Sequence, residues 1–243
     1  MQRALPLYRV PLPTGNYSQH DPASIRTMFD RVAPCYDLAN HFLSAGCDFW
    51  WRRKATAIVR AWQSACVLDL ATGSGDLALA LQSALPKSTI LGVDFSPQML
   101  AQAKRKGVRA TQVADAMSLP FARGAFDAIT VAFGLRNMRD YGVALREMRR
   151  VLTRRGHLLV LDFSLPRQRL LRAGYRVYLH HVLPILCNAL TGEKKAYDYL
   201  GDSIENFPSG AEMIALLNGN GFCAASADTL TGGVVTIYTA SAA

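Results

Sequence analysis

Two glycines and three carboxylates carry the spacing that could do chemistry in this chain. Gly73 and Gly75 stand in the run VLDLATGSGD (67–76), with Asp69 inside it, Asp94 nineteen residues beyond Gly75, and Asp115 further on. A glycine-spaced turn lets the backbone pass close to a ligand, and where such a turn opens a helix the first N–H groups are free to meet it. An acidic residue about 20 residues past the glycines suits ribose hydroxyls. The chemistry is that of holding a nucleoside-bearing cofactor, with Ser74 adding a hydroxyl to the loop. Gly73, Gly75 and Ala78 also satisfy G-x-G-x-x-A, so the turn alone admits a dinucleotide as well.

The elements that must position these residues follow from the apolar runs. Val67, Leu68, Leu70 and Ala71 surround Asp69 and stop at glycine, as a central strand of a parallel sheet does. LALALQSAL (77–85) suits the helix after the turn. TILGVD (89–94) reads as the next strand, ending in Asp94, and Ser96-Pro97 then supplies a cap and a first helical position. A third strand is expected to end at Asp115-Ala116, and a fourth, FDAITVAF (126–133), carries Ala132 near its end and delivers the chain to Gly134-Leu135-Arg136-Asn137. AASADTLTGGVVTIYTA (224–240) holds two β-prone runs about Gly232-Gly233, a closing antiparallel hairpin that an NAD domain does not require.

At 243 residues, half of them apolar, the chain fits one α/β domain with a substantial core, and wholesale disorder is excluded. The five cysteines (Cys35, Cys47, Cys66, Cys187, Cys223) are odd in number and lack C-x-x-C spacing, which points to a reduced, cytoplasmic protein. The five histidines show no metal-ligand spacing, and no metal is expected. The net charge of +9 is unevenly placed: between Arg146 and Arg176 nine arginines face only Glu147 and Asp162, giving 9 − 2 = +7. Such a stretch is either a set of solvated helix faces or a surface drawn to an anionic membrane leaflet, at about 1 kcal/mol per basic residue close to it. No recognisable nucleic-acid motif is present, and no nucleic-acid partner is expected.

Residues 1–20, with Pro6, Pro11, Pro13 and Gly15, show no period, no signal-peptide core and no spanning run, and read as a flexible arm. Residues 21–63 read as an N-terminal helical lid or subdomain. Asp21-Pro22 opens it, Ile25, Met28, Phe29 and Val32 form one apolar face, and Pro34 stops that helix. Residues 64–243 form the Rossmann-like core, with an insertion at 166–207. There Leu170, Leu171, Tyr175, Tyr178, Leu179, Val182 and Leu183 recur at helical spacing before Pro184 kinks or ends the helix.

The glycine loop, D-x-S-P, A-D-A-x-x-L-P-F and F-D-x-I, in this order, resemble the class I S-adenosylmethionine-dependent methyltransferases. FDRVAPCYDLANHFLSAGCDFWWRR (29–53), VAFGLRNMRD (131–140), EMRRVLTRRGHLLVLDFSLP (147–166) and AYDYLGDSIENFPS (196–209) are similar to signatures of the ubiquinone/menaquinone biosynthesis C-methyltransferases, and the likeness covers about residues 25–238. The resemblance implies an α/β fold: a seven-stranded sheet, mostly parallel, with a C-terminal antiparallel hairpin. It implies S-adenosylmethionine as cofactor, met by Asp69, Gly73, Ser74, Gly75, Asp94, Asp115, Ala116 and Ala132. It further implies a polyprenylated quinol as acceptor, demethylmenaquinol in particular, with Arg136, Tyr36 and Asn137 as the polar residues near it and Asn40 as a weaker candidate.

An ion pair of Arg136 with Asp140, four residues on, is the structural alternative for that arginine. The apolar positions of 166–207 either pack in the core or admit the isoprenoid tail. Peripheral contact with the inner face of a membrane and a homo-oligomer are both compatible with the sequence. A methyltransferase of another small acceptor, or a silent scaffold subunit of a quinone-biosynthesis complex, stand as competing functions. Four departures from the family pattern are visible. Thr153-Arg154-Arg155-Gly156 replaces the usual Lys-Pro-Gly-Gly turn, Asp162 replaces a glutamate, Ser74 replaces a threonine while keeping the hydroxyl, and Ala132 replaces a small polar residue.

Overall fold

The computed structural model describes Ser44 and residues 46–183 and 194–243. Within it, the strands and helices run in the order α1 (Cys47–Ala61), β1 (Cys66–Leu70), α2 (Asp76–Ala84), β2 (Thr89–Asp94), α3 (Pro97–Lys106), β3 (Ala110–Val113), β4 (Phe126–Ala132), α4 (Tyr141–Val151), β5 (Leu152–Phe163), α5 (Arg169–Val177), α6 (Lys194–Asn206), α7 (Ala211–Gly219), β6 (Phe222–Leu230) and β7 (Val235–Ala242). Short 3-10 turns lie at Leu135–Asn137 and Thr231–Gly233, and α5 continues into a π-helical turn at Tyr178–Val182.

The seven strands form one sheet in the order β3-β2-β1-β4-β5-β7-β6, parallel from β3 to β5 and antiparallel where β7 meets β5 and β6. Both faces are covered, so the central strands are apolar on successive residues rather than alternate ones. Leu68, Leu70, Ile129, Val131, Leu158 and Val160 pack one way, with Leu145 and Met148 of α4 and Met213 and Leu217 of α7. Val67, Ala128, Leu159 and Leu161 pack the other way, with Trp51, Ala55 and Val59 of α1 and Leu77, Ala78 and Leu81 of α2.

Local chemistry sets the helix ends. Ser96 caps α3, its hydroxyl accepting from the Met99 N–H at 3.1 Å with Pro97 in the first turn, and Gly107 closes it at φ 106°. Asp140 caps α4, accepting from the Val143 N–H at 2.9 Å. That capping bond, not an ion pair with Arg136, is what Asp140 contributes.

The turn expected at Thr153–Gly156 is present but falls within the span of β5: between the pairs Phe126–Leu152 and Ala128–His157 that strand advances five residues while β4 advances two, with Arg155 at φ 66°. The turn takes the form of a large bulge. Two expectations change in the structure. The third strand ends at Val113, two residues short of Asp115. The basic stretch is not one surface either. Arg149 donates to the carbonyls of Gly221 and Ala243, Arg150 is held by Glu147 and the carbonyls of Leu119 and Phe121, and Arg146 bonds Asn220. Tyr36, Asn40, Pro184, the arm and the first part of the 21–63 segment lie outside the described residues.

Candidate active site

The strand order reverses between β1 and its neighbours β2 and β4, and ligands of open α/β sheets bind outside the carboxyl ends of the strands at such a point. A cavity opens there, walled by Leu70, Ala71 and Gly73 after β1, Asp94, Phe95 and Met99 after β2, and Ala114–Met117 after β3. Ala132, Phe133, Gly134, Asn137, Met138 and Arg139 complete it after β4. The loops leaving β1 and β4 turn abruptly, with Ala71 at φ 54° and Phe133 at φ 56°, both left-handed. They also approach one another closely: a Cβ on Gly134 would stand 2.4 Å from the Cβ of Ala71. Only glycine lets these two loops lie side by side.

Asp94, Gly73, Asp115, Ala116, Ala132 and Asn137, all singled out in the sequence, line this cavity. Gly73, at φ 56°, leaves its Cα bare, since a Cβ there would meet nothing within 4 Å. Asp94 spans the two loops, accepting from the Gly73 N–H and the Ser96 N–H, each at 2.9 Å. Asp115 accepts from the Met117 N–H at 2.9 Å, and the Asn137 amide donates to the Phe133 carbonyl at 3.3 Å.

Four expected residues lie behind the wall rather than on it. Asp69 is 1% exposed, and its two oxygens accept from the hydroxyls of Thr72 and Thr130, both at 2.6 Å. Burial pushes its carboxyl up to about 6, and the two hydroxyls only partly offset that. Its part is to pin the glycine loop to β4. Ser74 is buried and meets Lys106. Gly75 is glycine for packing: at φ 90° a Cβ would fall 2.5 Å from Val108 Cγ2. Arg136 is 5% exposed and forms an ion pair at 2.7 Å with Asp162 of β5 while donating to the Phe133 carbonyl at 2.6 Å. Its guanidinium lies 5.1 Å from the Phe163 ring centroid. Burial raises the Asp162 carboxyl, with Arg136 opposing it.

Sequence reasoning missed Ala71, Phe133, Gly134, Thr72 and Thr130. For Thr130 the signal was register. Asp69 pairs with Thr130 across β1 and β4, so a hydroxyl stands opposite a buried carboxylate once the alignment of the strands is known.

The residues fit an adenosyl group: a bare glycine Cα, two carboxylates for hydroxyl and amine hydrogens, and Phe95, Met99 and Met117 as apolar walls. The sheet order, with a cavity at its crossover, is the fold of the class I S-adenosylmethionine-dependent methyltransferases. A phosphoethanolamine N-methyltransferase of Haemonchus contortus shares the fold at TM-score 0.63 and 15% identity, over 90% of this chain and 60% of that one. A putative methyltransferase from Haloferax volcanii, in complex with the activator Trm112, does so at TM-score 0.59 and 18% identity, over 88% and 97%.

The family follows from closer matches. Residues 17–242 match the model of the ubiE/COQ5 methyltransferase family. A demethylmenaquinone methyltransferase of Thermus thermophilus is 45% identical over 216 residues, 87% of this chain and 98% of that protein. A ubiquinone/menaquinone biosynthesis C-methyltransferase of Geotalea uraniireducens is 42% identical over 222 residues, 88% of this chain and 94% of that protein. The chain belongs to the ubiE/COQ5 methyltransferase family, and its cofactor is S-adenosylmethionine.

Proposed function

We propose that this protein transfers a methyl group from S-adenosylmethionine to a ring carbon of a polyprenylated quinol, demethylmenaquinol becoming menaquinol. The observation that carries the reading is the likeness, 45% over nearly the whole length, to a protein named for that step. The cofactor brings an electrophilic methyl group. Asp94, bridging the β1 and β2 loops, takes the ribose hydroxyls. Asp115 and the apolar wall of Met99 and Met117 take the adenine, and the bare Cα of Gly73 lets the backbone close on the methionine moiety.

A quinol carbon becomes nucleophilic when its neighbouring hydroxyl loses a proton and the phenolate charge spreads onto the ring. The protein's work is to hold that carbon in line and to stabilise the charge. Arg136 stays protonated at any working pH, so it serves as a positive group behind the acceptor rather than as a base. Asp162 fixes its direction, and Asn137 offers an amide at the cavity wall.

The acceptor's tail sets the reaction at a membrane surface, with the chain peripheral on its cytoplasmic side. Among the described residues no helix is long and apolar enough to cross a membrane. Incubating the purified protein with labelled S-adenosylmethionine and a panel of reduced quinones tests the reading. Label in the ring carbon of demethylmenaquinol is expected. Donor binding without methylation of any quinol overturns it in favour of another acceptor, and absence of donor binding favours a silent scaffold.

A further inference from the structure

Of the seven large apolar side chains that stand exposed among the described residues, four lie on one short stretch, α5 and the π-helical turn after it. Leu170 is 86% exposed and Val177 57%, and their seven-residue spacing puts them on one face. Leu171 is 49% exposed and Val182 41%. No residue of α5 itself is buried, which is unusual for a helix joined to a core on both sides. Arg169 and Arg176, again seven apart, line the adjoining face, and Arg167, also exposed, precedes the helix. Glu205 stands 3.0 Å from Arg176 and 3.2 Å from His180. The surface is thus apolar along one strip and positive beside it.

Its place in the fold gives that strip a use. The Arg172 guanidinium donates to the Pro166 carbonyl at 2.8 Å, fixing the start of α5 to the chain leaving β5. Leu171 Cδ1 lies 3.9 Å from where a Cβ on Gly232 would stand, at the β6–β7 hairpin tip. Both anchor points sit at the carboxyl end of β5, the sheet edge on which the cavity opens. Beneath the strip an aromatic row leads inward. Tyr175 and Tyr178 stack at 6.3 Å and pack with Phe163 in one cluster, and Phe163 lies 4.8 Å from Phe133, which lines the cavity.

We infer that the Leu170–Val177 strip of α5, with Arg167 and Arg169 beside it, docks onto an anionic lipid bilayer and sets the outer end of the aromatic row against the lipid. An amphipathic helix with its apolar side chains outward and arginines along their border is the arrangement that lies in a bilayer interface. The positive border favours acidic headgroups. The inference rests on the quinol reading for its purpose. It also narrows the basic stretch to its second half, since Arg146, Arg149 and Arg150 are engaged within the fold.

The test is sedimentation of the full chain with vesicles of phosphatidylglycerol and phosphatidylcholine, and with phosphatidylcholine alone, at low and high salt. The wild-type chain binds the acidic vesicles more tightly, and salt weakens that preference. Leu170→Asp/Val177→Asp lowers binding at least tenfold, and Arg169→Glu lowers it only on acidic vesicles. Melting temperature, donor affinity and turnover of a short-tailed, water-soluble quinol stay at wild-type values, which shows that the variants are folded. Vesicle binding equal to wild type in the double variant overturns the inference, as does absence of binding by the wild-type chain. Light scattering that shows a dimer broken by the same substitutions, without vesicle binding, overturns it by making the strip a contact between copies. Strip-dependent vesicle binding with no methylation of any quinol sustains the docking surface and overturns the quinol reading instead.

Discussion

The guanidinium of Arg136 and the carboxylate of Asp162 meet at 2.7 Å, their side chains 6% and 0% exposed, across the ends of neighbouring strands. A buried pair of this kind is neutral as a whole, and removing one member strands the other's charge, at about 3–5 kcal/mol.

Asp162→Asn is therefore expected to lower stability by about 3 kcal/mol, read as a lower urea midpoint. Arg136→Lys keeps the charge but loses the planar guanidinium, whose Nη1 meets both Asp162 and the Phe133 carbonyl while the group lies against the Phe163 ring. Turnover of a soluble quinol should fall about a hundredfold, with donor affinity nearly intact. Normal turnover in both variants, at lowered melting temperature, would make Arg136 scaffold only.

Asp69 gives stability a pH dependence. Burial moves its carboxyl from the ordinary 3.8 to about 6, so the folded chain keeps a proton that the unfolded chain has released. Stability is full below pH 3.8 as far as this group goes, and falls as pH rises to about 6, by about 3 kcal/mol in all. Asp69→Asn removes that slope, because an amide can accept from one threonine hydroxyl and donate to the other. Denaturant curves between pH 4.5 and 7 on the donor-free protein check it. A slope unchanged in the variant places the titration elsewhere.

The approach of Gly134 to Ala71 predicts a paired effect. Gly134→Ala has no backbone objection, since φ is −112°, but its methyl would stand 2.4 Å from that of Ala71. Overpacking at such a contact costs about 1–3 kcal/mol. It would also spread the loops that hold the donor. Ala71 already sits at φ 54°, where glycine is at ease, so Ala71→Gly should recover most of the loss. Melting and donor calorimetry on the two single variants and the double one measure the coupling; simple additivity would refute it.

Asp94→Ala removes the acceptor for the Gly73 and Ser96 N–H groups and, on the proposed function, the ribose contact. Donor affinity is expected to weaken by about 1.5–3 kcal/mol in calorimetry. Ser74→Ala should cost less, because the Ser74 hydroxyl faces Lys106 behind the cavity wall. Equal losses in the two variants would refute this distinction.

Much of this was legible in the sequence because it is local. The glycine turn, the Ser96-Pro97 cap and the Gly232-Gly233 hairpin each depend on residues a few positions apart, and they stand where the pattern put them. What was illegible depends on strand register. Spacing offered Asp140 to Arg136, yet Asp140 is occupied as the cap of α4, and the partner arrives from β5, 26 residues on. The hydroxyl clamp on Asp69 needs Thr130 aligned across β1 and β4. The bulge at Thr153–Gly156 shows only once β5 is laid against β4.

The order of the sheet has a consequence for how the molecule is made. β7 is synthesised after the other six described strands, yet it lies between β5 and β6. Until residues 235–242 have left the ribosome, β5 shows an open flank along Leu158, Leu159, Val160 and Leu161, and β6 lacks its partner among the described strands. A nascent chain in that state presents a long apolar strand edge, the kind that pairs with other chains. Slow translation through residues 235–242, or a block there, should therefore produce aggregated rather than merely inactive protein.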